Sequence, residues 1–158
     1  MLTNKHVILA LLVAPVLSLL AWFAVGNLVG EQPHAAVAGG VYPLLEKSNC
    51  RYPSGRCQMV NGDVSLTLRL LSPDSSPRLA LNSSVELQGV LVAVVPPGAA
   101  AGDAPPPRAM ASSDASGTHW QLSLPAVPPE GARLRLVAAT SDNRFTAEVA
   151  TRFARVDE

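Results

Sequence analysis

QMVNGDVSLTLRL, residues 58–70, is the stretch that decides the fold. Asn61-Gly62 suits the positive φ angles of a two-residue hairpin turn. After it, Val64, Leu66, Leu68 and Leu70 point one way, and Ser65, Thr67 and Arg69 the other. That alternation predicts a half-buried strand. Downstream, SVELQGVLVAVV (84–95) reads as extended, with Gly89 permitting a bulge or a break, and Pro96-Pro97 ends it. GAAAGDAPPPR (98–108) is a surface loop by composition, open to insertion, because its prolines cannot donate ladder hydrogen bonds. Alternation returns in Trp120, Leu122 and Leu124, then in Leu134 and Leu136 against Arg133 and Arg135. It returns last in Phe145, Ala147, Val149, Thr151 and Phe153 against Thr146, Glu148, Ala150 and Arg152.

No helical stripe of comparable quality follows residue 36. Short strands separated by Pro, Gly, Asp and Asn turns predict an all-β domain. The expected form is an immunoglobulin-like antiparallel β-sandwich of about seven strands, with Trp120 in the shared core.

Ahead of the strands, residues 7–29 (VILALLVAPVLSLLAWFAVGNLV) carry no charged side chain. As a helix they reach roughly 35 Å, enough to span a bilayer's hydrocarbon core and make membrane lipid the first partner. A cleaved export signal is the competing reading, because Lys5 precedes the run and Ala36-Val37-Ala38 is a small-residue site. The anchor is favoured, since a signal's apolar region is about 7 to 15 residues. Glu31, Pro33 and His34 also separate the run from that site. Lys5 and the amino terminus keep the leading tail in the cytoplasm by the positive-inside rule. The expected organisation is a cytoplasmic tail (1–6), a transmembrane anchor (7–29), a tether (30–40) and a periplasmic β-sandwich (41–158). The expected location is a bacterial inner membrane, single-pass.

Twelve basic and twelve acidic residues give zero net charge, which argues against nucleic acid as a partner. With 4% aromatic residues and 14 prolines, the core must be built from Val, Leu and Ala. The two cysteines, Cys50 and Cys57, flank RYPSGR, where Pro53-Ser54-Gly55 supplies turn residues. An oxidising compartment predicts a disulfide here, worth about 2 kcal/mol of denatured-state freedom. Free thiols and redox or metal chemistry are the other readings; the spacing is not Cys-x-x-Cys, and no second pair completes a zinc site.

Motifs for catalysis are missing: there is no Gly-x-Ser-x-Gly elbow, no paired carboxylates and no phosphate-cradling glycine loop. The expectation is therefore a protein without enzymatic activity and without a cofactor. For a metal, Met110 and His119 are the nearest noncysteine pair, and a hairpin across 111–118 would bring them together as copper ligands. A core methionine beside a solvent-facing histidine is the simpler account of both.

A basic cluster surrounds the cysteine turn, with Lys47, Arg51 and Arg56 flanking Tyr52. On a closed loop the two arginines could bind a carboxylate, a phosphate or an acidic partner surface. The ordinary alternative is a solvated turn.

The order of one amino-terminal span, Tyr42-Pro43-Leu44-Leu45-Glu46-Lys47, the Cys-x6-Cys turn, the Asn-Gly hairpin and the Trp120 to Phe153 strands resembles single-span envelope proteins of proteobacteria. More distantly the plan is similar to the FixH and YtkA-like proteins. That resemblance implies an anchored small β-sandwich associated with copper and respiratory oxidase assembly. The expected function is a membrane-anchored accessory or interaction module serving another envelope or membrane protein. The alternative is a copper-handling or oxidase-assembly protein using Met110 and His119.

Overall fold

The alternating segments become strands in the computed structural model, which describes residues 4–28, 37–100 and 102–155. One helix, α1 (Lys5–Leu28), comes first. It is followed by β1 (Val41–Pro43), β2 (Leu45–Glu46), β3 (Cys57–Asn61), β4 (Val64–Leu71), β5 (Arg78–Ser83) and β6 (Gly89–Val95). The remaining strands are β7 (Arg108–Ala109), β8 (Ala111–Ser112), β9 (His119–Ser123), β10 (Arg133–Ala139) and β11 (Arg144–Ala150). Among the described residues, two 3-10 turns, Ser48–Cys50 and Thr151–Ala154, complete the regular structure. The chain divides into two compact units, Met1–Ala35 and Ala36–Glu158.

In the first unit, α1 begins two residues before the apolar run because the Asn4 side chain accepts a hydrogen bond from the His6 amide at 3.1 Å. Pro15 lies inside the helix, and the Ser18 hydroxyl donates to the Ala14 carbonyl at 2.9 Å. The large apolar side chains from Val7 to Val25 are exposed. By length and composition α1 qualifies as a membrane span or as a signal sequence. Residues 1–3, most of the expected tether (30–36, with His34) and Ala36 of the small-residue site lie outside the described residues.

The second unit holds two sheets, ordered β1-β11-β10-β6-β7 and β2-β3-β4-β5-β9-β8. Neither closes into a barrel. Asn61 and Gly62 turn β3 into β4, with Asn61 paired to Val64 and Gly62 at φ +55°. The adjacent pairs are antiparallel except β1 with β11, which run parallel from Val41↔Arg144 to Pro43↔Thr146. An all-antiparallel arrangement is thus corrected at one position.

Two corner segments join the sheets. A single residue, Leu44, separates β1 in one sheet from β2 in the other, and Met110 likewise separates β7 from β8. Both residues are buried. Strands that change sheet in this way make corners and leave only short pieces at the sheet edges.

One apolar cluster is shared by both sheets. Leu66, Leu68, Leu79 and Leu81 from β4 and β5 join Val90, Val92, Leu134 and Leu136 from β6 and β10, all at or below 2% exposure. Each such side chain contributes about 2 kcal/mol through burial. Trp120 belongs to the cluster, and its indole nitrogen donates to the Gly117 carbonyl at 2.9 Å. On the outer surface, Arg133 and Arg135 of β10 both pair with Glu148 of β11, at 2.6 and 2.7 Å. The Arg135 hydrogen bond, with the positive field of both arginines, holds the Glu148 carboxyl below its ordinary range despite some desolvation.

Two segments differ from the expectation of an extended region over 84–95 and of about seven strands. The extended region 84–95 starts as a strand only at Gly89, because residues 84–88 bend so that the Leu87 amide reaches the Gly117 carbonyl. Just upstream, β5 adds a strand that pairs with β4 and β9 and buries Leu79 and Leu81.

Candidate functional site

The cysteine turn is built by an unusually complete set of local bonds. Cys50 and Cys57 stand at disulfide distance, S–S 2.05 Å, with both residues almost wholly buried. Within the turn, the Ser54 hydroxyl bonds the carbonyls of Asn49 and Arg56 at 2.6 and 2.7 Å. The Asn49 side chain accepts from the Gln58 amide at 3.0 Å, tying the 3-10 turn to the start of β3. Gly55, at φ +74°, places its amide 2.9 Å from the Phe153 carbonyl. Phe153 itself is fully buried. The loop is therefore braced at its cysteines, at Ser54 and against the turn that follows β11.

On this frame the four residues singled out by charge and aromaticity are all exposed, though they are not equivalent. Arg51 pairs with Glu46 across the turn at 3.1 Å, with 69% of its side chain exposed. Among the described residues no carboxylate lies within ion-pair distance of Lys47 or Arg56. Tyr52 is 64% exposed, a high value for an aromatic ring. An exposed aromatic flanked by arginine is the composition that protein interfaces favour.

Beside the loop lies a cleft of about 520 Å³, bounded by Pro53, by Glu130 to Arg133 and by Ala150 to Arg155. Its wall is fixed by Thr151, whose amide and hydroxyl both donate to the Ala132 carbonyl, at 3.2 and 3.0 Å. Arg133, Arg152, Arg155 and Glu130 supply its charged lining. Sequence reading missed this cleft. Arg152 was legible as an outward position, but nothing local joins the end of β11 to Glu130 and Pro53.

Met110 and His119 lie in different surroundings, one in the core and one at the surface. Met110 fills the corner between the sheets at 4% exposure, and its amide donates to the Val90 carbonyl. His119 is at the surface, with Nδ1 2.7 Å from Asp114 Oδ2 and 57% of its side chain exposed. Met110 belongs to the core cluster, whereas the His119 ring faces Asp114 at the surface. Among the described residues no group of three His, Cys, Asp or Glu side chains could hold a metal ion.

Asp114 gathers a polar turn that the sequence did not announce. The Ser116 hydroxyl, followed by His119 through its side chain and amide, holds the Asp114 carboxyl well below its ordinary range against some desolvation. Thr118 Oγ1 stands 3.0 Å from His119 Nδ1 and 3.3 Å from Asp114 Oδ2. Both hydroxyls thus sit on the Asp114 side of the ring. The group orders the turn between β8 and β9 and does not present a hydroxyl to the other imidazole nitrogen.

No protein-family model matches the chain, nor does any curated protein or solved structure.

Proposed function

We propose that this protein is a noncatalytic accessory or interaction module of a bacterial inner membrane. In this reading α1 is a retained anchor with its amino terminus in the cytoplasm, and the two sheets form an immunoglobulin-like sandwich in the periplasm. A helix of the required length and the cysteine pair at disulfide distance support that placement.

The single observation that carries the interaction reading is the braced cysteine loop, which holds Tyr52 and Arg56 out in solvent. A rigid surface loop loses little freedom on binding, so an aromatic and a guanidinium displayed on it are well suited to a partner. The partner is another envelope or membrane protein. The copper-handling reading gains no support, because its Met110 ligand is a core side chain.

The test is crosslinking of the full-length protein in its native membrane, comparing the wild type with a variant carrying Tyr52→Ala, Arg51→Gln and Arg56→Gln. Loss of attached proteins, at unchanged protein abundance, is the expected result. An identical set of attached proteins would overturn the reading.

A further inference from the structure

We infer that the cleft beside the cysteine loop binds a carboxylate-bearing segment of a partner protein, held by Arg152 and Arg155. This deepens the interaction-module reading and rests on it.

The cleft has the properties of a built site. Its volume of about 520 Å³ accommodates several side chains, and its wall is locked by the double bond from Thr151 to Ala132. Gly131, at φ +77°, shapes the rim where a Cβ would come 3.2 Å from Pro97 Cβ. Arg133 is already neutralised by Glu148 at 2.6 Å. Among the described residues, by contrast, neither Arg152 nor Arg155 has a carboxylate within ion-pair distance. Two arginines lining one cleft suit a carboxylate, whose planar geometry a guanidinium can match through paired N–H donors.

Charge selects the ligand class. Glu130 lines the same cleft, so a phosphate with two charges meets more repulsion there than a carboxylate with one. With Arg133 held by Glu148, Arg152 and Arg155 against Glu130 leave this lining positive, which complements an acidic protein segment.

The test uses the full-length protein in nanodiscs of neutral lipid, with fluorescent hexaglutamate as probe. Saturable binding is expected, weakened at least tenfold by Arg152→Gln with Arg155→Gln, and unchanged by Arg69→Gln with Arg78→Gln. Absence of hexaglutamate binding, or equal binding by the Arg152 and Arg155 variant, overturns the assignment. Binding of inorganic phosphate, or of vesicles containing anionic lipid, with no binding of the peptide also overturns it. If the cysteine-loop variant loses its crosslinked partners while hexaglutamate fails to bind, the cleft assignment falls and the interaction module stands. If hexaglutamate binds through Arg152 and Arg155 while that loop variant keeps every partner, the loop's role falls and the cleft assignment stands.

Discussion

The Gly55 amide donates a 2.9 Å hydrogen bond to the Phe153 carbonyl, which makes the cysteine loop and the turn after β11 one continuous surface. Gly55 reaches this carbonyl with φ +74° and open space where a Cβ would stand. Gly55→Ala is therefore expected to destabilise through backbone strain alone, by about 1 kcal/mol. Thermal unfolding followed by circular dichroism should show a midpoint about 4 °C lower. An unchanged midpoint would mean that this turn does not constrain the fold.

Joint replacement of Cys50 and Cys57 by alanine should lower stability by about 2 kcal/mol, because closure of a short loop limits the denatured chain. Urea titration is the measurement, and mild reduction of the wild type should reproduce most of the shift. A titration that is the same with and without reductant would show that the bond contributes nothing.

Acid should weaken the domain through Glu148 and Asp114. Both carboxyls are held below their ordinary range in the folded protein, so the stability they add is present above the unfolded pKa and is lost as pH falls through the folded value. The decline starts near pH 5, where carboxylates of the unfolded chain begin to take up protons. Unfolding midpoints between pH 6 and pH 2 should fall less steeply in Glu148→Gln than in the wild type. Parallel pH profiles would remove Glu148 from the acid response.

Met110→Ala should cost about 3 kcal/mol, since it empties the buried corner between β7 and β8, whereas Met110→Leu should cost less than about 1.5 kcal/mol. A thioether acting as a metal ligand would give the opposite ordering of importance, with the leucine variant losing metal binding at unchanged stability. Denaturant midpoints of both variants, alongside metal analysis, separate the two outcomes.

Four residues of Gly-Ser inserted between Gly102 and Asp103 should leave the unfolding midpoint within about 2 °C. The segment between β6 and β7 is largely exposed, and added loop length costs only about 0.6 kcal/mol per doubling. A larger drop would show that the proline-rich stretch braces the sheet.

Alternating apolar residues made β4, β9, β10 and β11 legible, and the Asn61-Gly62 turn implied β3 before it. β5 escaped notice: RLALNS offers two buried leucines, Leu79 and Leu81, too few to outweigh its polar flanks. The corner pieces around Leu44 and Met110 span two or three residues apiece, below the length at which any period can be seen. The cysteine turn was readable from local chemistry. The cleft was not, because Pro53, Glu130 and Arg152 are brought together only when β10 and β11 pair.

The two corner segments also bear on how this domain can be recognised. At the sheet margins β1, β2, β7 and β8 offer two or three residues each, too little backbone to template an added strand from another chain. Growth into larger assemblies by edge-to-edge pairing is thereby discouraged even in a crowded compartment. A partner meeting β1, β2, β7 or β8 reads side chains more than main-chain amides, so its specificity can be rewritten by surface substitution without disturbing the scaffold.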